Sequence, residues 1–370
     1  MTFEELGVSQ ELIRGLGELG ITQPTRIQEE AIPVLMEGNI NFIGQAQTGT
    51  GKTAAFGLPI LTHIDPDHKA VQALVLTPTR ELGQQVAKQL FRFTKYTEKI
   101  FTEAVYGGEK IDLQIKRLKR PTHVIVATPG RLLDLVQKKA VDLSEVRIVV
   151  LDEADEMLSL GFKKELTAIL DALRNRQRNT WLFSATIPKD LNQIIEKYLG
   201  PDARRIQIDK GETVNSNIVH QYIPVEDREK FDTLSYFLKS MGKKRGIIFT
   251  RTKSTARKLT SLLESRDFNA GLLEGDLLQK DRDKVMRAFQ KENIRLLVST
   301  DVAARGIDVA QLAFVIHYEL PDQTDYYTHR SGRTARAGNR GISLALVNKY
   351  ELKKLGQLER ELGIRFNRIR

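Results

Sequence analysis

The sequence AQTGTGKT at residues 46–53 is the stretch that decides the fold of this chain. It follows the apolar stretch NFIG at 41–44 and leads into TAAFGLPIL at 53–61, which predicts a strand, a glycine-rich turn and a helix in succession. Glycines let a backbone wrap closely around an anion, and the free amides at a helix start point toward it. The stretch therefore predicts a phosphate-binding loop in an α/β domain, although Ala46 replaces the first glycine of the general pattern.

Two side chains of this loop have predicted chemical roles. Lys52 is expected to offset charge on the β and γ phosphates of a nucleotide, and the hydroxyl of Thr53 to ligate Mg²⁺. The other predicted nucleotide contacts of the loop are Ala46, Gln47, Thr48, Gly49, Thr50 and Gly51. The alternative is an ordinary turn rich in Gly and Thr, which the flanking strand and helix patterns disfavour.

An acidic group follows the apolar stretch 148–151, in the order Asp152, Glu153, Ala154 and Asp155. Ligands of α/β sheets bind beyond the carboxyl ends of the strands, so these acids should lie close to the phosphate loop. Asp152 is predicted to hold Mg²⁺ through water, and Glu153 to orient and deprotonate the attacking water. The alternative is a helix start whose acids are favoured by the helix dipole.

Short apolar stretches separated by helical patterns recur through both halves of the chain and predict buried parallel strands. They lie at 73–77, 124–127, 148–152, 181–184, 246–250, 296–300, 314–318 and 343–347. The polar segment 210–217 (KGETVNSN) lacks a periodic apolar face and is typical of a linker. We predict an N-terminal domain at 1–209, this linker, and a C-terminal domain at 218–370.

Composition limits the classes of protein to consider. The 370 residues are 41% hydrophobic and 28% charged, with no cysteine, which excludes disulfides and cysteine nucleophiles. The start of the chain lacks the pattern of a secretory signal, and no apolar stretch reaches the length of a membrane span, so a cytoplasmic location is expected. The net charge of +10 allows a nucleic-acid partner without requiring one.

Several motifs in one order make the chain resemble the DEAD-box family of RNA helicases, in superfamily 2. They are GITQPTRIQ at 20–28, the phosphate loop, DEAD at 152–155, SAT at 184–186 and HRSGRTARAG at 329–338. The resemblance implies two tandem RecA-like domains, each a mainly parallel sheet flanked by helices, as in bacterial helicase cores. It also implies that Gln28 reads the adenine edge of ATP and that Phe3 stacks on the base.

The resemblance extends to coupling, catalysis and RNA contacts. It implies that Asp155, Ser184 and Thr186 couple hydrolysis to strand separation, that His329, Arg333 and Arg336 act in catalysis, the two arginines as fingers, and that Asp308 binds the ribose of ATP. RNA contacts are expected from Pro78, Thr79, Arg80, Gly107, Gly108, Thr128, Gly130, Arg131, Thr250, Gly275, Gln279, Arg282 and Thr300. Four residues depart from the common family pattern, namely Gly83, Glu274, Ser331 and Ala335.

The expected function is that of an ATP-dependent RNA helicase using ATP and Mg²⁺. It should clamp single-stranded RNA, open short duplex RNA locally, remodel RNA–protein complexes and show little sequence preference, because the expected contacts go to phosphate and sugar. RNA-processing or degradation proteins are the expected protein partners of a monomeric core. The alternatives are a DNA helicase or translocase on the same paired domains, and an RNA scaffold that holds ATP without hydrolysing it.

Overall fold

The computed structural model describes residues 1–47, 49–173, 177–208, 217–304, 312–335 and 340–369. The chain divides into two compact units, Met1–Ile208 and Asp209–Arg370. Each unit contains one sheet of seven strands, and every strand pair among the described residues is parallel. The predicted fold class is confirmed, whereas the predicted linker lies outside the described residues except for Asn217.

The first unit has a sheet with the strand order β3-β4-β2-β5-β6-β1-β7. Its strands are β1 (Phe42–Gln45), β2 (Ala73–Leu76), β3 (Thr102–Val105), β4 (Val124–Ala127), β5 (Ile148–Asp152), β6 (Asn179–Ser184) and β7 (Arg204–Gln207). Its helices are α1 (Gln10–Gly17), α2 (Arg26–Met36), α3 (Lys52–His63), α4 (Arg80–Phe93), α5 (Ile111–Leu118), α6 (Pro129–Gln137), α7 (Ala154–Ser159), α8 (Lys163–Ala172) and α9 (Lys189–Tyr198).

Helices cover both faces of this sheet, which explains why its central strands are continuously apolar. One hydrophobic cluster includes residues of α1 to α4, and the other includes residues of α5 to α9. Strands β2, β4 and β5 are buried along their whole length. Because all strands run in one direction, the loops that follow them gather at one edge of the sheet.

The second unit repeats this arrangement, with the strand order β10-β11-β9-β12-β13-β8-β14. Its strands are β8 (Ile218–Pro224), β9 (Gly246–Thr250), β10 (Ala270–Leu273), β11 (Leu296–Thr300), β12 (Phe314–His317), β13 (Gly341–Val347) and β14 (Asn367–Arg368). Its helices are α10 (Lys230–Ser240), α11 (Lys253–Glu264), α12 (Gln279–Gln290), α13 (Asp301–Ala304), α14 (Thr324–Ser331) and α15 (Leu352–Leu362).

All eight strands predicted from apolar stretches are present, with ends that differ by at most two residues from those expected. The strand expected before the phosphate loop is β1. No helix in the described part of the chain is both long enough and apolar enough to cross a membrane.

Candidate nucleotide site and RNA-binding loops

The phosphate loop connects β1 to α3, as its sequence predicts. Gly49 and Gly51 have positive φ angles of 81° and 95°, which L residues with side chains rarely adopt. Lys52 is buried, and its Nζ donates to the carbonyl oxygen of Ala46 at 3.0 Å. Thr50 Oγ1 donates to the carbonyl of Gln47 at 2.8 Å, while Thr48 lies outside the described residues. The side chain of Lys52 thus connects the two ends of the phosphate loop.

Gln28 contacts this loop directly. Its Nε2 donates to the carbonyl oxygen of Gly51 at 2.9 Å, and its Oε1 accepts from the backbone N–H of Thr25 at 2.9 Å. Thr25 Oγ1 in turn donates to the carbonyl of Thr50 at 2.8 Å. Phe3 is 3% exposed and packs in the hydrophobic cluster that includes α2 and α3. The structure therefore links the predicted adenine reader to the phosphate loop, and the adenine contacts themselves stay predictions.

Asp152 and Glu153 form a buried acidic pair at the carboxyl end of β5. Within the described residues, Oδ1 of Asp152 and Oε2 of Glu153 are buried and have no hydrogen-bond partner. Burial raises the pKa of Asp152 to about 7, a change that the charge of Lys52 opposes and the neighbouring Glu153 carboxylate reinforces. Glu153 has left-handed backbone angles, φ 51° and ψ 52°, at the start of α7. Buried carboxylate oxygens without partners beside a lysine suit a bound cation and a nucleotide phosphate.

Asp155 is held by the segment that follows β6. Its Oδ2 accepts from both the backbone N–H and the Oγ1 of Thr186, each at 2.9 Å. The hydroxyl of Ser184 accepts from the backbone N–H of Asp155 at 3.2 Å and donates to the carbonyl of Thr186 at 2.7 Å. The three residues predicted to act in coupling are therefore in contact, and a shift of either segment would change these hydrogen bonds.

The predicted RNA contacts of the first unit lie on the three loops that follow β2, β3 and β4 and in the first turns of α4 and α6. These strands are neighbours in the order β3-β4-β2, so the loops share one edge of the sheet. These segments carry Pro78, Thr79 and Arg80; Gly107 and Gly108; and Thr128, Gly130 and Arg131. The guanidinium of Arg80 lies 4.6 Å from the centre of the Tyr106 ring, and Arg131 donates to the carbonyl of Glu109 at 3.0 Å.

The second unit gathers its predicted RNA contacts in the equivalent place. Thr250 and Thr300 end β9 and β11, and Gly275 follows β10, in a sheet whose order is β10-β11-β9. Gln279 and Arg282 lie in the first turns of α12, where Arg282 Nη2 donates to the carbonyl of Ala303 at 2.6 Å. Each unit thus presents such residues after three adjacent strands.

The basic motif of the second unit begins in α14, which contains His329. Arg333 follows the helix and is 6% exposed. Arg336 and Asp308, the other predicted nucleotide contacts of this unit, lie outside the described residues.

Comparison with known proteins assigns both units to one family. Residues 25–194 match the family model described as DEAD/DEAH box helicase, and residues 229–338 match the helicase conserved C-terminal domain. The chain is 40% identical over 368 residues to the DEAD-box ATP-dependent RNA helicase CshA of Bacillus cereus, covering 100% of this chain and 69% of that one. The chain belongs to the DEAD-box family of ATP-dependent RNA helicases.

Solved structures of DEAD-box helicases share the fold. Dbp5 of S. cerevisiae, solved bound to RNA and ADP BeF3, matches with a TM-score of 0.92 and 33% identity, over 100% of this chain and 95% of that one. Mss116p, solved bound to ssRNA and AMP-PNP, matches with a TM-score of 0.90 and 27% identity, over 99% of this chain and 78% of that one. Both matches span the two units of this DEAD-box chain.

The departures from the common DEAD-box pattern have local explanations. Ser331 is fully buried, and its hydroxyl lies 2.9 Å from that of Ser343, so the serine has a hydrogen-bond partner in the interior. Glu274 is 2% exposed, pairs with Arg257 at 2.6 Å and accepts from the backbone N–H of Asp276 at 2.7 Å.

Two further departures concern small residues. A Cβ on Gly83 would approach Thr77 Oγ1 to 3.0 Å, so an alanine there would require a small shift of its neighbour. Ala335 has a φ of 56°, the left-handed conformation that favours glycine. The more common family residue would therefore be less strained at position 335.

Arg330 has a structural role that the sequence analysis did not predict. It is 2% exposed, and its Nε and Nη2 donate to the two carboxylate oxygens of Asp301, the latter at 2.8 Å. Its Nη1 donates to the carbonyl of Glu319 at 2.7 Å. Arg330 thus ties α14 to the end of β11, next to Thr300. The aspartate directly after the apolar strand β11, at position 301, was the signal that the sequence offered for a buried arginine partner.

Proposed function

We propose that this DEAD-box helicase hydrolyses ATP in response to RNA, clamps single-stranded RNA, opens short duplexes locally and remodels RNA–protein complexes. The observation that carries the ATPase chemistry is the site in the first unit. There Lys52 closes the phosphate loop while the carboxylates of Asp152 and Glu153 lie buried with oxygens that no described residue satisfies. Such groups are costly to bury unless a cation and a polar substrate meet them.

Thr53 and Asp152 would hold Mg²⁺ together with the nucleotide phosphates. Bound Mg²⁺ would offset the charge that develops on the phosphates during transfer. Lys52 would exchange its contact with the Ala46 carbonyl for a phosphate oxygen, and Glu153 would orient and deprotonate the attacking water. Gln28 and Phe3 would select and hold the adenine, and Asp308 the ribose.

The second domain would complete the site when RNA and ATP are both bound. The domains of this proposal are residues 1–209 and 218–370, joined by the linker 210–217. Arg333 and Arg336 would supply positive charge to the transferring phosphate, with His329 beside them. If each ligand binds both domains, each raises the affinity of the other by the same factor. RNA would then stimulate hydrolysis, and hydrolysis would release RNA.

RNA recognition would be nearly independent of sequence. The assigned residues are glycines, small hydroxyl residues and arginines on loops, which suit contacts to phosphate and ribose more than to base edges. We propose a cytoplasmic protein with a monomeric core, and RNA-processing or degradation proteins as partners that supply specificity.

The test is steady-state phosphate release from ATP with single-stranded RNA, with DNA of equal length, and with neither. Stimulation by RNA alone, abolished by Glu153→Gln, is the expected result. Equal stimulation by DNA would favour a DNA translocase. No stimulation by either, with ATP still bound, would favour a scaffold that holds ATP without turnover.

A further inference from the structure

A cluster of side chains behind the loop after β3 connects the three RNA-binding loops of the first unit. Tyr106, directly after β3, is 9% exposed. The guanidinium of Arg80, the first residue of α4 after the loop that follows β2, lies over its ring at 4.6 Å, and Nε2 of Gln84, also in α4, donates to its hydroxyl at 2.8 Å. Tyr106 therefore links the loop after β2 to the loop after β3.

Glu109 makes the corresponding link to the loop after β4. Its two carboxylate oxygens accept from Nη1 and Nη2 of Arg117 at 3.0 and 2.6 Å, and one also accepts from Gln114 at 2.9 Å. Its backbone carbonyl accepts from Arg131 at 3.0 Å. A bidentate arginine–carboxylate pair fixes orientation as well as distance, so Glu109 holds both the loop after β3 and the side chain of Arg131.

Gln114 bridges Tyr106 and Glu109, the two residues that anchor the loop after β3. Its Nε2 donates to the carbonyl of Tyr106 at 2.8 Å, and its Oε1 accepts from the backbone N–H of Tyr106 at 3.3 Å. Gly107 and Gly108 lie between the anchors, and Gly108 has a φ of 84°. Glycines lose more conformational freedom on ordering than other residues, and a Cβ on Gly107 would touch no described atom within 4 Å. The loop is shaped by its anchors rather than by its own packing.

Arg117 is the centre of this cluster. Besides its two bonds to Glu109, its Nε donates to Glu103 of β3 at 2.6 Å. The side chains of Arg117, Glu103 and Glu109 are 23 to 32% exposed, so their ion pairs are only partly screened by water. Hydrogen bonds from Arg117 keep the pKa of Glu109 below its usual value, consistent with a carboxylate held in this ion pair.

We propose that Arg117, Glu109 and Gln114 are positioning residues for RNA, which hold Gly107, Gly108 and Arg131 in the arrangement that receives RNA phosphates. They act on RNA through these residues, from α5 and the loop before it. The inference rests on the proposed RNA contacts of the first unit. Because the cluster orders the loop in advance, its loss reduces the fraction of molecules competent to bind RNA and weakens the apparent affinity by the same factor.

The first test is Arg117→Met, which keeps a long apolar side chain and removes the hydrogen bonds that Arg117 donates to Glu103 and Glu109. The RNA concentration that gives half-maximal stimulation of phosphate release should rise about five- to tenfold, and tenfold corresponds to about 1.4 kcal/mol. The basal rate, the half-saturating ATP concentration and the rate at saturating RNA should stay within about twofold of the unmodified chain. The matched control is Lys197→Met, which removes an ion pair with Asp171 between α8 and α9 and should change none of these values.

A second variant keeps the inference testable if Arg117→Met folds poorly. Glu109→Gln preserves the shape of the side chain and removes its charge, and it should also raise the half-saturating RNA concentration. Because both variants act on the Arg117–Glu109 ion pair, and Arg117→Met already removes it, the double variant should bind RNA no more weakly than Arg117→Met alone. Additive effects would instead indicate a general loss of structure and would overturn the positioning role.

The remaining outcomes separate this inference from the proposed function. If RNA fails to stimulate the unmodified chain, the proposed function fails. If RNA stimulates the unmodified chain and neither variant shifts the half-saturating RNA concentration, the positioning inference alone fails. A shift of equal size in Lys197→Met would also overturn it.

Discussion

The buried histidines of the second unit should make it sensitive to acid, and His220→Phe is the perturbation that isolates one of them. His220 in β8 is 6% exposed, and its Nδ1 lies 2.6 Å from the hydroxyl of Tyr327. Its ring is 5.7 Å from the rings of Tyr327 and Phe366, so phenylalanine can occupy the same space. The Tyr327 hydroxyl keeps a second partner, Ser343 Oγ at 3.1 Å, after the substitution.

The size of the effect follows from the pKa of His220, which burial lowers from 6.5 to about 4. A depressed histidine pKa contributes stability that is fully present above the unfolded pKa of 6.5 and is lost as the pH falls through the folded pKa. The difference corresponds to roughly 3 kcal/mol between pH 7 and pH 4. Burial is the cause of the lowered pKa of His220. Within the described cluster, Tyr327 is neutral in this pH range, and His317 has its own pKa lowered by burial and by Arg330.

The assay is urea unfolding of the His220→Phe variant and of the unmodified protein at several pH values between 4 and 7. The second unit is followed by hydrogen exchange of peptides from β8, β12 and β13. Trp181, the single tryptophan, lies in the first unit, so its fluorescence provides the control and should show the same pH dependence in both chains. We expect the stability difference between variant and unmodified chain to shift by roughly 3 kcal/mol in favour of the variant on acidification. A difference that is the same at pH 4 and pH 7 would refute the reasoning.

Three further substitutions test other parts of the structure. Glu153→Gln should lower RNA-stimulated phosphate release by about 10²-fold or more while a fluorescent nucleotide still binds, because it removes the proposed base; a loss under tenfold would argue against that role. Thr186→Val removes a hydrogen bond to the Asp155 carboxylate and should cost the first unit about 1–2 kcal/mol in urea unfolding followed by Trp181; an unchanged midpoint would contradict the contact. Ala335→Gly should stabilise the second unit by about 0.5–1 kcal/mol by relieving its left-handed backbone, measured by hydrogen exchange; a loss of stability would contradict the strain.

The strands that the sequence predicted well are those buried on both faces. Val124–Ala127 and Leu296–Thr300 have the predicted bounds, because every residue of both strands is buried and burial on both faces favours a compact apolar stretch. Five strands were not predicted, namely β3, β7, β8, β10 and β14. They lie at or next to a sheet edge, and none of them is buried along its whole length, so burial does not impose a continuous apolar sequence on them.

The candidate site also contains residues that the sequence could identify and contacts that it could not. Residues within one contiguous motif, such as Lys52 or Asp152, could be assigned because the chemistry of the motif is local. The contact of Gln28 with Gly51 and the pair of Arg330 with Asp301 join segments far apart in the sequence. Nothing in a single sequence reports which distant polar groups meet in a buried place, so these contacts required the structure.

The two sheets share one strand order, and this likeness has a consequence for how the chain works. The loop after β8, at 225–229 (VEDRE), occupies the place of the phosphate loop after β1 but contains no glycine and no Lys-Thr pair. Two copies of one fold in a single polypeptide behave as a tethered pair, whose effective concentration is set by the length of the connecting segment. The coupling between the two units that we propose should therefore survive dilution that would dissociate an ATPase assembled from separate subunits.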